Sequence, residues 1–299
     1  MSSFLYYLLP AVGGYTLMSF YLLKNPHILH KKKKTAFYCT HISHRGGSGE
    51  RIESTMEAFE HAVEVGTEML ELDCHMTCDG HVIISHDYNL LRQTGQDVNI
   101  SDVNLEELPS YKERLEVTFY TGDTGLDRRF ALLEDVFRMF PKVPINIEVK
   151  EENKELIEKV SALVKKFNRE SITVWASVDS RIMKACRKVN SSMPYMFTEM
   201  RGLQLLLLYY TGLLPFIPLG ESFLMSLLNN HVPPFCYRLT MRRSLFQHLR
   251  DRGIQIHLFV CNEDQDIEAA FAVGATGVMT DYPTLLSDYI RRFMCELLF

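Results

Sequence analysis

From residue 37 onward, short apolar runs alternate with segments in which apolar side chains recur every three to four positions. The runs are too short for buried helices and read as strands; the segments between them read as helices. Strands are predicted over residues 37–43, 67–75, 145–150, 172–177, 193–197, 235–239, 254–260 and 277–280. Helices are predicted over 56–65, with Ser54 or Thr55 as N-cap, and over 132–140, 155–168, 244–252 and 264–273. A last helix starts at Asp281-Tyr282-Pro283, with Asp281 as its N-cap. Residues 98–127 are polar and weakly patterned and read as loop with short helices. Eight strands, most followed by a helix, predict a (β/α)8 TIM barrel over residues 35–299, with Trp175 in its core.

One pair of runs does not fit the alternation. Thr77-Cys78-Asp79-Gly80 is a turn signal, and the run it opens, 81–85, ends at His86-Asp87. A parallel crossover needs a dozen residues or more, so the two runs form an antiparallel hairpin inserted after the second strand. The returning arm brings His86 back toward the rim where the first arm ends.

Two longer apolar stretches stand outside the barrel pattern. Residues 4–23 carry no charge and are about long enough to cross a hydrocarbon core. No small-residue cleavage site follows, so residues 1–34 are expected to form an uncleaved transmembrane anchor with a basic flank. Lys24 and Lys31 to Lys34 place that flank, and the domain after it, on the cytosolic face. The sequons at Asn99 and Asn190 would matter only in a lumenal domain. The second stretch, 202–219, is uncharged and holds Pro215 and Pro218. A full crossing there would divide the barrel between compartments, so it is expected to dip into one leaflet, with a buried core helix as the alternative.

Charge and composition narrow the chemistry. At 299 residues and 46% hydrophobic the chain has ample core, and a net charge of −5 gives no nucleic-acid signature. Seven cysteines without a CxxC pair or a tight His/Cys cluster argue against a zinc site or a disulfide scaffold. No protein partner is evident.

Barrel enzymes work at the C-terminal ends of their strands. Glu71 and Asp73 share one face of the second strand, because side chains alternate. Two carboxylates in an apolar strand stay ionised only beside a cation: a divalent ion, or Lys and Arg in a structural network. Glu148, with Lys150 two places on, repeats the theme on the next barrel strand. The first strand ends in His44-Arg45-Gly46-Gly47, whose glycines let a ligand approach the backbone. Acids for a metal, cations for an anion and two imidazoles, His44 and His86, compose a phosphodiester site.

His44-Arg45-Gly46-Gly47, Glu53-Ser54-Thr55, Glu71-Leu72-Asp73, His86-Asp87, Glu148-Val149-Lys150 and Thr280-Asp281-Tyr282-Pro283 together resemble the glycerophosphodiester phosphodiesterases, over about residues 41–286. The N-terminal anchor and the stretch ending TGLLPFIP resemble the family's membrane-anchored branch. The resemblance implies His44 and His86 as the acid/base pair, and Glu71, Asp73 and Glu148 as ligands of one divalent cation, Ca²⁺ or Mg²⁺. It implies Arg45 and Lys150 as phosphate contacts. Ser54 stands where the family usually carries Asn, and the segment around the sixth strand is short. The implied activity is lysophospholipase D: attack of the glycerol hydroxyl, a cyclic phosphate and release of the head-group alcohol. The expected substrates are lysophosphatidylcholine and related lysophospholipids at a membrane, that of the endoplasmic reticulum. The alternatives are hydrolysis of soluble glycerophosphodiesters and a non-catalytic lipid-binding barrel.

Overall fold

The computed structural model describes residues 3–117, 120–121, 127–228 and 234–296. The strands are β1 (His41–Ser43), β2 (Met69–Met76), β3 (Val82–Ile84), the short pair β4 (Glu116–Val117) and β5 (Tyr120–Thr121), β6 (Ile145–Glu148), β7 (Thr173–Ala176), β8 (Phe223–Leu227), β9 (Gln255–Phe259) and β10 (Gly277–Thr280). The helices are α1 (Ser3–Lys24), α2 (Met56–Glu64), α3 (Leu91–Thr94), α4 (Leu133–Met139), α5 (Lys154–Lys166), α6 (Ser180–Val189), α7 (Glu199–Tyr210), α8 (Pro234–Thr240), α9 (Arg243–Asp251), α10 (Asp264–Val273) and α11 (Pro283–Glu296).

Seven parallel strands pair in the order β7, β6, β2, β1, β10, β9, β8. Tyr195 bridges to Trp175 on β7, and Met196 to Phe223 on β8, both in parallel. The fifth predicted strand is thus reduced to two bridges, but they carry the pairing from one end of the sheet to the other. The fold is a TIM-barrel-like α/β architecture. Hydroxyls and amides start its helices as the sequence leads one to expect. Thr55 accepts from Ala58 N and Asn153 from Leu156 N, which leaves Ser54 outside the cap.

One core lies inside the strand ring, where Ile42, Met69, Val174, Phe223 and Met279 meet. Two others lie between the strands and the helices, around Trp175 on one side and around Phe246 and Leu249 on the other. The hairpin forms as inferred: Cys74, His75 and Met76 pair antiparallel with Ile84, Ile83 and Val82.

The sixth strand is the correction. Residues expected as a strand at 235–239 belong to α8, and the strand is Phe223–Leu227. Gly220-Glu221-Ser222 separates it from the apolar stretch 202–219, and the two short apolar runs 223–227 and 235–239 compete for one strand position in the sequence. That stretch, 202–219, forms most of α7 and a short 3₁₀ turn at Leu214–Phe216. Leu205 and Leu214 are buried against the domain, while Leu203 and Leu213 face outward. It is a helix packed on the domain with an apolar outer side.

Among the described residues no helix is long and apolar enough to cross a membrane. The 22-residue α1 docks its C-terminal half on the domain. Tyr15 Oη donates to Thr211 O at 2.5 Å, Ser19 Oγ to Gly212 O at 2.7 Å, and His248 Nδ1 to Leu23 O at 2.8 Å. Gly212 has φ +75°, and a Cβ there would lie 2.7 Å from Ser19 Oγ, so this contact needs glycine.

Candidate active site

β2 and β6 set three carboxylates side by side. In their parallel register Glu71 stands opposite Asn146, and Asp73 opposite Glu148. Alternation turns Glu71, Asp73 and Glu148 inward, and each offers an oxygen within 4.8 Å of the others. Like charges this close, with little water, resist ionisation. Burial, and then the charge of Asp73, pushes the Glu71 carboxyl up and moves Glu148 up to about 7.

Asp73 shows what the cluster lacks. It is buried, and neither oxygen accepts a hydrogen bond. Lys150 Nζ stands 2.9 Å from Oδ1 as an ion pair. Lys150, with Arg45 shared between the cluster and Glu53, leaves three carboxylates only partly compensated and the Asp73 lone pairs unused. A donor set of hard oxygens with that deficit suits Ca²⁺ or Mg²⁺. The structural-network alternative is thus only partly realised: Lys150 joins the carboxylates but does not satisfy them.

His44 follows β1 directly. Its Nδ1 donates to Asp281 Oδ1 at 2.7 Å, and Asp281 also accepts from Ser48 Oγ at 2.5 Å and Asn262 Nδ2 at 2.8 Å. Burial works against a charged imidazole, but the charge and hydrogen bond of Asp281 outweigh it, and His44 titrates above its ordinary value. Burial likewise opposes ionisation of Asp281, and the His44 charge with these three bonds holds it below the usual carboxylate range. The sequence suggested Asp281 as a helix cap; both its oxygens are instead committed to holding His44, Ser48 and Asn262.

The hairpin supplies His86. Ser85 N donates to Asp73 O at 3.0 Å, which sets the next residue beside the acidic strand end. His86 Nδ1 donates to Asp87 Oδ1 at 2.6 Å, and Asp87 Oδ2 accepts from Arg92 Nε at 2.6 Å. Arg92 also binds Glu53 Oε1 at 2.5 Å, and Glu53 Oε2 accepts from Arg45 at 3.2 Å. Each imidazole therefore has its Nδ1 fixed by a carboxylate, which leaves Nε2 for chemistry.

Arg45 is buried with φ +51°, in the left-handed region beside Gly46 and Gly47. Its backbone N donates to Glu71 Oε2 at 2.9 Å, and its side chain pairs with Glu53. Burial opposes its charge, and Glu53, Asp73 and Glu71 more than restore it. The glycine-rich turn thus threads a cation between two acidic groups. Ser54 has φ +60° and its hydroxyl is buried without a partner. Asn is favoured over Ser in that conformation, which accounts for the Asn the family usually carries there.

The sequence of a glycerophosphoryl diester phosphodiesterase family model matches residues 44–285, from His44 to beyond the Asp281 motif. The chain belongs to that family. It is a phosphodiester hydrolase. It is 48% identical to human Lysophospholipase D GDPD1, covering 96% of this chain and 98% of that one. It is 46% identical to human Lysophospholipase D GDPD3, covering 97% of each. In fold it is similar to the glycerophosphodiester phosphodiesterase of Thermotoga maritima (24% identity, TM-score 0.63, 84% of this chain and 98% of that one). It also resembles a putative family member from Silicibacter pomeroyi (18%, TM-score 0.67, 87% and 96%).

Of the residues singled out from the sequence, Glu71, Asp73 and Glu148 come together with His44, Arg45 and Lys150 around them, and His86 joins through the chain of Asp87, Arg92, Glu53 and Arg45. Sequence reasoning missed the groups that aim them. Ser48 and Asn262 carried no signal, being ordinary polar residues after a strand or in a turn. Arg92 and Gln93, which also bonds Glu53, lie in a stretch with no visible period. Asn146 was visible as a polar residue on the carboxylate face of β6, and its buried Oδ1 has no partner.

An apolar cavity of about 440 Å³ opens from this site. His44, Glu71, Asn146 and Glu148 line one end, and Leu203, Leu206, Leu224 and Phe246 are among the residues lining the rest.

Proposed function

We propose that this protein is a metal-dependent lysophospholipase D that hydrolyses lysophosphatidylcholine and related lysoglycerophospholipids to lysophosphatidic acid and the head-group alcohol. The observation that carries the reading is the apolar cavity continuous with His44, Glu71 and Glu148. A soluble glycerophosphodiester has nothing to place there, whereas a single-chain lipid leaves water by entering it. The identity to relatives named lysophospholipase D supports the same activity.

Glu71, Asp73 and Glu148 would hold one divalent cation, Ca²⁺ or Mg²⁺, which when bound supplies neutralisation of phosphoryl charge. Arg45 and Lys150 add fixed positive charge against the phosphate. His86 takes the proton of the free glycerol hydroxyl as its oxygen attacks phosphorus. The bond from phosphorus to the head-group oxygen breaks, and His44, held protonated by Asp281, gives its proton to that oxygen. A cyclic phosphate results, and water opens it with the two imidazoles in reversed roles. A diacyl lipid has that hydroxyl esterified and lacks the nucleophile, which explains a preference for lyso lipids.

The reading also places the protein at a membrane surface, on the cytosolic side of the endoplasmic reticulum. Support comes from Tyr6, Tyr7, Leu17 and Phe20, all outward on α1, and from the Lys31 to Lys34 run that follows.

Choline release from lysophosphatidylcholine tests the reading. EDTA is expected to abolish it, Ca²⁺ or Mg²⁺ to restore it, and His44→Ala to remove it. Release that ignores chelator and survives His44→Ala overturns the mechanism. Cleavage of glycerophosphocholine in preference to the lyso lipid would favour the soluble-diester reading instead.

A further inference from the structure

The cavity belongs to two cores at once. Met196, Met225, Phe259 and Met279 line it and pack with the residues inside the strand ring. Leu205, Leu224, Leu245 and Phe246 also line it, yet they belong to the core between the strands and the helices. A continuous void reaches both only by passing the end of a strand. Leu227, the last residue of β8, lines it there.

We propose that the acyl chain of the substrate leaves the barrel over the C-terminal end of β8 and lies in a slot between α7 and α9, and that Gly202 sets how much chain the slot accepts. This rests on the lysophospholipid reading above and goes beyond it by fixing the direction of the lipid and the residue that limits its length.

Two elements give the same depth. From Glu199 to Leu206 along α7 is seven residues, about 10 Å. From Leu227 back to Leu224 along β8 is three residues, again about 10 Å. Beyond Thr198, Glu199, Ser226 and Thr240, the slot walls are apolar, with Leu203, Leu205, Leu206, Leu224, Leu245 and Phe246 among them, so a charged head group drawn in along them would lose hydration that they do not replace. The chain therefore takes the slot, and the head group points away from it. Gly202 sits within α7, where glycine is unfavourable and no positive φ requires it. An added Cβ would meet nothing within 4 Å. Its lack of a side chain keeps the slot open.

The test measures kcat/KM for lysophosphatidylcholines with chains of six to fourteen carbons, presented as monomers. In the wild-type protein each methylene that enters the slot raises kcat/KM by about fourfold until the slot is full. Gly202→Leu has room for its Cβ and adds a side chain on the helix that lines the slot, so the ratio of long-chain to short-chain kcat/KM is expected to fall at least tenfold. Leu206→Trp fills the slot from a neighbouring position and serves if the first variant does not fold. Leu207→Trp, on the outward side of the same helix, should keep the wild-type profile. A slot variant that is folded and retains the wild-type chain-length profile overturns the inference. So does a wild-type enzyme that cleaves these lipids with no chain-length dependence. Failure of the wild-type enzyme to cleave any of them, with glycerophosphocholine still hydrolysed, overturns the underlying lyso-lipid reading instead.

Discussion

Replacing Glu148 with Gln should make the metal-free protein less sensitive to rising pH. Burial and the neighbouring Asp73 charge hold the Glu148 carboxyl up to about 7, against an ordinary 4.5. Between those values the folded protein keeps a proton that the unfolded chain gives up. The folded state then binds more protons, so stability falls as pH rises through the window. From pH 5.5 to 7.5 the loss comes to about 2 kcal/mol. Three buried histidines act in the opposite sense: burial lowers His41 and His248 to about 4 and His257 to about 3. They resist protonation when folded and accept it when unfolded, which costs stability as pH falls below about 6.5. They are the same in both proteins, so comparing the variant with wild type cancels them. The assay is denaturant unfolding of EDTA-treated protein at pH 5.5 and 7.5. Glu148→Gln should gain about 2 kcal/mol on wild type across that interval. Ca²⁺ or Mg²⁺ at a hundred times its dissociation constant should then return about 2.7 kcal/mol to wild type at pH 7.5, and far less to the variant. Identical pH slopes, or equal stabilisation of both proteins by the cation, would refute the claim that Glu148 is a strained carboxylate awaiting a metal.

Asp281→Asn keeps the shape at His44 Nδ1 but removes the charge that favours the imidazolium. We expect kcat to fall at least tenfold with KM little changed, and the basic limb of the kcat–pH profile to move to lower pH, because the acid now loses its proton earlier. An unmoved limb would show that Asp281 does not set the His44 proton. Trp175 is fully buried on β7 and donates through Nε1 to Asn190 O at 3.2 Å. Trp175→Ala should cost about 3–5 kcal/mol in denaturant unfolding, as for other large-to-small core changes.

Where the sequence was legible, periodicity made it so. The Glu71/Asp73 pair reads directly because a strand has a period of two, and inward-facing acids interrupt an otherwise apolar run. The hairpin could be inferred because a turn of a few residues permits only antiparallel return. Legibility failed where two short apolar runs compete for one strand. Phe223–Leu227 takes the place in the sheet, and the similar run at 235–239 lies in the helix Pro234–Thr240, whose residues suit either structure. Asp281 failed for a different reason. An Asp before a proline is a good local cap, and only its contact with His44, 237 residues away, decides otherwise.

The sequence by itself determined which polar side chains share a strand face and that the chain after the second strand returns as a hairpin, since alternation and turn length are local properties of the chain. Tertiary structure alone decided how those groups are aimed and where a lipid chain can go. Hydrogen bonds such as Asp281 to His44 and Glu53 to Arg92 join distant segments, and the cavity past β8 exists only because three elements fail to fill the space between them. Neither kind of fact leaves a periodic trace in the order of residues.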